Sequence, residues 1–172
     1  MNTIKIRKMH KKDIDQIMKI ESVSFGNFYW TREAFATEIE NNIGYYFVAE
    51  AENEQIIGYC GFWLILDEAH VTTIAVHPKY RKQGLGEKLL QKMLETGYEK
   101  EAKWFTLEVR ASNVSAQNLY YKYKFKSLGL RRKYYQDNEE DAMIMWTENI
   151  WESSFRDHLK NLKNDLEKRV KV

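Results

Sequence analysis

The sequence predicts an α/β (α+β) fold: one mixed, mostly antiparallel sheet of six or seven strands with helices on both faces. Three observations predict it. Segments with a two-residue apolar period crowd the middle of the chain and return near its end, and segments with a helical period stand before, between and after them. Two of the central runs are joined by a short polar turn, as a hairpin requires. A length of 172 residues with 44% apolar content supports one domain with its own core and argues against global disorder.

Each element follows from its local pattern. Residues 3–8 place Ile4 and Ile6 on one face and read as a first strand. Over 12–25 the period lengthens, with Ile14, Ile17 and Met18 on one side of a helix. Residues 26–30 form a loop, and Thr31 suits the N-cap of a helix to about residue 41 that turns Phe35 and Ile39 inward. Strands follow over about 45–50 and 56–66, linked by Glu52-Asn53-Glu54-Gln55. A strand over about 69–77 ends at Pro78, the only proline, which a strand end tolerates and a strand centre does not. Leu85, Leu89, Leu90, Met93 and Leu94 recur at helical spacing, so a helix runs over about 86–100 with Gly97 near its end. Residues 103–110 alternate again: Phe105, Leu107 and Val109 on one face, Trp104, Thr106 and Glu108 on the other. A helix over 113–123, capped by Ser112 or Asn113, and strands over about 125–134 and 141–147 complete the pattern.

The tail, 148–172, differs in character. Trp151, Phe155, Leu159, Leu162 and Leu166 form one apolar stripe on a charged helix. Such a stripe either docks on its own domain or packs against a second subunit, a homodimer through the C-terminal helix.

Composition excludes several classes. The net charge of +2 is too small to argue for nucleic-acid binding. The single cysteine, Cys60, lies inside the apolar run 56–66 and reads as a small core residue rather than a nucleophile. The four histidines show no ligand spacing, so no metal site is expected. The polar N-terminus lacks a secretory pattern and no run of about 18 apolar residues exists, which together point to the cytoplasm and away from membranes.

The most informative stretch is VHPKYRKQGLGEKLL, 76–90. A strand ends, a basic glycine-containing turn follows, and a strong helix starts at once. Gly84 and Gly86 carry no Cβ, so the backbone N–H groups of the turn can come close to a ligand. The helix N-terminus adds unpaired donors and partial positive charge, which suits a pyrophosphate. Arg81 and Lys82 add charge at the same place. The string is not the G-x-G-x-x-G dinucleotide fingerprint, since residue 89 is Leu, and it lacks the G-K-[ST] of a Walker loop.

Arg81-x-x-Gly84-x-Gly86 after a strand ending in His-Pro resembles the acyl-CoA segment of the GNAT acetyltransferase superfamily. LDEAHVTTIAVHPKYRKQGLG (66–86), LEVRASN (107–113), LYYKYKF (119–125), LRRKYY (130–135) and EDAMIM (140–145) resemble the RimI-type protein N-terminal acetyltransferases. The resemblance covers about 3–147 in the expected order. It implies a GNAT domain over 1–147 followed by an amphipathic helical extension over 148–172.

The resemblance implies an enzyme that moves acetyl from acetyl-CoA, by direct attack through a tetrahedral intermediate, to the N-terminal amino group of a small-subunit ribosomal protein beginning with alanine. No metal and no direct nucleic-acid contact is required. Glu108 matches the proton acceptor and Tyr120 the proton donor to the leaving thiolate. An α-amino group has a pKa near 8, so about 10% is neutral at pH 7 against about 0.04% for a lysine side chain, and a modest base suffices. A Glu108 partly buried beside Trp104 would be a better one. Tyr121, about 100° around the helix, cannot serve the same atom as Tyr120.

The backbone of Ile74, Ala75 and Val76 is expected to hold the pantetheine arm. The segment Arg81, Lys82, Gln83, Gly84, Leu85, Gly86 and Glu87 is expected to cover the pyrophosphate, with Asn113 as a further cofactor contact as well as a cap. Peptide recognition falls to the loop at 26–31, with Trp30, and to the last hairpin, with Tyr134 and Tyr135. The basic residues Lys122, Lys124, Lys126, Arg131, Arg132 and Lys133 either favour an acidic or RNA-associated partner or form a solvated face.

Two positions depart from the family pattern. Lys124 precedes Phe125 where the family carries glycine, costing on the order of 1 kcal/mol if the backbone there has φ > 0. Tyr29-Trp30 replaces Pro-Trp before the second helix. The alternatives are a GNAT acting on a lysine side chain or small amine, and a non-catalytic CoA-binding, ribosome-associated module.

Overall fold

The computed structural model describes residues 4–27 and 30–170. Residue 3 of the expected first strand, Phe28 and Tyr29 of the expected substrate loop, and residues 171–172 lie outside them. The strands are β1 (Lys5–Lys8), β2 (Gly44–Glu50), β3 (Ile56–Ile65), β4 (Glu68–Val76), β5 (Trp104–Arg110), β6 (Phe125–Tyr135) and β7 (Glu140–Thr147). The helices are α1 (Ile14–Phe25), α2 (Arg32–Glu40), α3 (Leu85–Glu99), α4 (Val114–Lys122) and α5 (Ser153–Arg169). Single 3₁₀ turns precede α1 and follow β4 at Pro78–Tyr80.

All seven strands join one sheet in the order β1-β2-β3-β4-β5-β7-β6. Each neighbouring pair is antiparallel except β4–β5. That parallel pair is short: Glu68, Ala69 and His70 face Trp104, Phe105 and Thr106, and the pairing stops there. Beyond His70 the two strands part, opening a wedge in the middle of the sheet.

The two-residue period divides the core as the sequence predicts. Phe47 and Ala49 of β2 join one cluster, which includes Leu85, Leu89, Leu90, Met93 and Leu94 of α3, Tyr120 of α4, and Phe155 and Leu159 of α5. Tyr46 and Val48 join the other, with Ile14, Ile17 and Ile20 of α1 and Phe35 of α2. Helices therefore cover both faces. Cys60 is fully buried, and its Sγ lies 3.6 Å from the carbonyl oxygen of Leu89, as a core residue. Burial pushes its thiol far above the usual range.

Local chemistry sets the helix ends. The Thr31 hydroxyl accepts from the N–H of Ala34 at 3.2 Å, and the Asn113 Oδ1 accepts from Ala116 at 3.1 Å, which decides the α4 cap in favour of Asn113 over Ser112. Lys124, just past α4, has φ +62°, so the αL cost attached to it applies.

The apolar stripe of the tail is used within the chain. Phe155, Leu159 and Leu166 are 2%, 5% and 1% exposed. Lys163 pairs with Glu95 of α3 at 2.7 Å, and the Trp151 indole donates to the carbonyl of Ala102 at 2.8 Å. Phe155 and Leu159 are thus enclosed within the chain, whereas Trp151 is 45% exposed. The helix α5 packs against α3 of the same chain.

Candidate active site

The wedge between β4 and β5 is the natural centre. The N–H of His77 donates to the carbonyl of Ile57 at 2.9 Å, so alternation along β4 turns the backbone groups of Ile74 and Val76 away from β3. They face the side from which β5 has departed. Ala75 points its backbone at β3 and its side chain into the α1–α2 core. A ligand arm lying in the wedge would meet the free edge of β4 as an added strand would.

Below the wedge, the turn 81–84 delivers the chain into α3. Lys82 has φ +60° and Gly84 φ +80°, two left-handed residues that reverse the chain sharply. Gly84 leaves the α3 N-terminus without a side-chain cap, so the first N–H groups, of Leu85, Gly86 and Glu87, stay available. A Cβ on Gly86 would meet only Leu119 Cδ2, at 3.6 Å, an ordinary contact. Protein packing thus does not demand glycine there, whereas a ligand lying on the backbone does. These residues fit a diphosphate.

The side chains of the turn serve mainly the protein. The Arg81 Nε donates to the Val76 carbonyl at 3.0 Å and Nη2 lies 3.4 Å from the Ser24 hydroxyl. Gln83 donates to the Lys79 carbonyl at 3.2 Å. The Glu87 carboxylate accepts from Lys122 at 2.7 Å, from the Tyr123 hydroxyl at 3.1 Å and from Arg169. Burial acts to raise its pKa, and these donors hold it below the ordinary range. Lys82 remains exposed with no partner among the described residues.

Glu108 lies on β5 beside the wedge, on the face opposite Phe105, Leu107 and Val109. It is not buried beside Trp104: residues four apart on a strand stand about 13 Å apart, too far for the indole to shield the carboxylate. Its neighbour is Arg131 of β6, with Nε 3.3 Å from Oε1. The base candidate is therefore solvent-accessible and charge-paired. The sequence grouped Arg131 with a basic cluster and did not reveal this pairing, which depends on sheet register.

Tyr120 is buried at 5% exposure, its ring 5.6 Å from Phe125. Its hydroxyl has no hydrogen-bond partner among the described residues. Burial raises its pKa well above the ordinary phenol, with Tyr135 and Cys60 as further contributors. The phenol therefore stays protonated throughout the neutral range, as a proton donor must. Tyr121 is exposed and donates to Met143 Sδ at 3.4 Å, on another side of α4.

The last hairpin links the surroundings of Glu108 and Tyr120. Burial pushes the Tyr135 hydroxyl up to about 12, Arg110 opposes that rise, and Glu108 adds to it. Tyr135 thus senses Glu108 and is itself sensed by Tyr120. Arg110, which the sequence left unassigned, fastens this hairpin. Its Nη1 and Nη2 reach Asp137 at 3.0 and 2.8 Å, Nη1 also meets Glu140 at 3.4 Å, and Cζ lies 3.9 Å from the Tyr135 ring centre. Tyr134 is half-exposed, edge-on to Tyr135 at 5.2 Å. The Trp30 ring packs against Phe35 and Tyr46 at 5.3 and 6.3 Å, and the residue's backbone N–H donates to the buried Glu21 carboxylate at 3.0 Å. Its ring is thus part of the α1–α2 core, beside the loop expected to meet peptide.

The basic residues near the hairpin are largely neutralised: Lys122 pairs with Glu87, Lys126 with Glu148, Arg131 with Glu108 and Lys133 with Glu139. No group of three or more possible metal ligands occurs among the described residues, and no helix there is long and apolar enough to cross a membrane.

A splayed parallel pair, an uncapped α3 behind a left-handed turn, and an exposed carboxylate near a buried tyrosine beside the wedge make up the candidate site. The GNAT acetyltransferase family model matches residues 14–125, and the chain belongs to that family. Within it, the chain is 44% identical over 142 residues to a Bacillus subtilis protein provisionally named a ribosomal protein bS18-alanine N-acetyltransferase, covering 82% of this chain and 93% of that one. The crystal structure of the ribosomal-protein-S18-alanine N-acetyltransferase from Escherichia coli superposes with a TM-score of 0.77 at 32% identity, covering 87% of this chain and 94% of that one. The fold is also shared with an N-acetyltransferase from Thermoplasma acidophilum solved with coenzyme A, with a TM-score of 0.72 at 19% identity, covering 85% and 99%.

Proposed function

We propose that this protein transfers acetyl from acetyl-CoA to the α-amino group of an alanine-first N-terminus on a small-subunit ribosomal protein. The reading is supported by an accessible carboxylate, Glu108, and a buried tyrosine, Tyr120, near the open wedge of a chain 44% identical to a protein provisionally named a bS18-alanine N-acetyltransferase.

Acetyl-CoA, when bound, supplies an activated thioester. The β4 backbone at Ile74 and Val76 holds the arm, with an N–H positioned to stabilise the developing oxyanion. The N–H groups of Leu85, Gly86 and Glu87 and the charge of Lys82 take the pyrophosphate. Arg81, Gln83 and the Glu87 carboxylate shape the turn from the protein side. Asn113 caps α4 and keeps its start in place beside the donor.

Glu108 accepts the amine proton through a water, since it stands in solvent beside Arg131. Arg131, with Nε 3.3 Å from Oε1, orients the carboxylate. Tyr120 delivers its proton to the leaving sulfur. Its hydroxyl has no competing partner among the described residues, so the proton is free to move. Tyr135, held by Arg110, and Tyr134, packed against it, line the peptide groove together with Trp30. The reaction runs in the cytoplasm, where ribosomal proteins are made.

The test is a substrate panel assayed by thiol release: a peptide beginning with alanine, the same peptide with its N-terminus blocked and a lysine added, and spermidine. Turnover confined to the free alanine N-terminus supports the proposal. Turnover on the lysine peptide or the polyamine replaces it with a side-chain or small-amine acetyltransferase. CoA binding without turnover on any amine replaces it with a binding module.

A further inference from the structure

We propose that the end of the C-terminal helix is part of the acyl-donor site: Lys168 and Arg169 close a cationic cavity over the turn Lys82–Gly84 and bind a phosphate of CoA. This rests on the acetyl-CoA reading above and extends it to a segment that the matched family model, ending at residue 125, does not include.

A cavity of about 570 Å³ lies between the turn and α5, lined by Lys82, Gln83, Gly84, Lys168, Arg169 and Val170. Three of these are cations and none is acidic. The volume far exceeds the roughly 30 Å³ of one water and accommodates a phosphate group with its solvent.

The two walls are held in contact. A Cβ on Gly84 would stand 2.7 Å from Val170 Cγ2 and 2.8 Å from Leu166 Cδ1, so α5 ends pressed against the turn itself. Arg169 Nη2 reaches Glu87 Oε2 at 3.1 Å, and Glu87 is already neutralised by Lys122. The added guanidinium therefore leaves local positive charge in excess. The ammonium groups of Lys168 and Lys82 have no partner among the described residues, although they flank one cavity. Basic residues in the last turn offset the negative end of α5, and the positive start of α3 faces the same space. An anion is the species that this arrangement lacks, and a phosphate of the bound donor lies at the adjoining α3 N-terminus.

The test uses the full-length protein and calorimetric titration with CoA, 3′-dephospho-CoA and pantetheine, which carries no phosphate. Lys168→Glu, at an exposed residue without a described partner, leaves folding intact by thermal melt. It is expected to weaken CoA binding about tenfold, more when combined with Arg169→Ala, with pantetheine binding unchanged. A loss that disappears with 3′-dephospho-CoA places the contact on the 3′-phosphate, and a loss that persists places it on the diphosphate; either supports the proposal. Equal CoA affinity in wild type and Lys168→Glu overturns it and leaves the acetyl-CoA reading standing. So does an equal loss for pantetheine, or for the exposed control Lys160→Glu. A wild-type protein that binds no CoA overturns both.

Discussion

Tyr120→Phe separates catalysis from stability. The substitution removes one oxygen and retains the ring, which is 5% exposed and packs 5.6 Å from Phe125. No described residue hydrogen-bonds to that oxygen, so its removal breaks no bond in the folded protein. The oxygen is not one of the fully enclosed atoms left without a partner, so it keeps contact with solvent and its deletion is close to neutral. For a chain of this length a change of about 1 kcal/mol shifts Tm by about 2–4 °C. Proton delivery to the leaving sulfur, by contrast, contributes on the order of 10²-fold or more to kcat. The expected result is a Tm equal to or above wild type, an unchanged Kd for CoA by calorimetry, and kcat down by about 10²-fold on an alanine-first peptide. Wild-type kcat refutes the acid role. A fall of several degrees in Tm refutes the claim that the hydroxyl is structurally idle, and a rate loss would then carry no information about proton transfer.

Other outcomes follow from the same geometry. Glu108→Gln keeps shape and side-chain volume on an exposed face, so it should lower kcat by about 10²-fold in the thiol-release assay while CoA affinity stays within twofold. Lys124→Gly relieves a left-handed residue at φ +62°, and a gain of about 0.5–1 kcal/mol is expected in urea denaturation after the extra chain entropy of glycine is subtracted. Phe155→Ala empties a site that is 2% exposed beneath α5, which should cost about 3–5 kcal/mol and lower Tm on the order of 10 °C in calorimetry. Hydrogen bonding from Ser112, with help from Asn138 and Arg110, holds Glu140 down at about 2, below its ordinary 4.5. Its contribution is therefore complete above about pH 4.5 and is lost as pH falls towards 2, which NMR of the Tyr135 ring should register as loosening of the hairpin.

Several of these sites show where sequence reading stops. The alternation of β5 is a local property, so Phe105, Leu107 and Val109 could be assigned to the core and Glu108 to the other face without coordinates. The environment of Glu108 could not. Its partner, Arg131, arrives through β7 and β6, and the pairing depends on a register that also carries bulges. Arg110 is similar: an arginine at a strand end has no evident task until a hairpin about 30 residues downstream folds back onto it. Lys124 was the reverse case: it stands where the resembled family carries glycine, and the positive φ on which its cost depended is found there.

The sequence by itself determined the period and length of nearly every element, the glycine-containing turn before α3, the single enclosed cysteine, and the outward face of Glu108 on β5. These depend on neighbours within a few residues, where sterics and burial pattern act directly. Only the tertiary structure decided that β4 and β5 part after His70, that Glu108 stands in solvent against Arg131, that the Tyr120 hydroxyl has no partner among the described residues, and that α5 spends its apolar stripe on its own domain and ends on the turn before α3. Each of those is a meeting of segments distant in the chain. Their geometry follows from sheet order and packing, which no local pattern encodes.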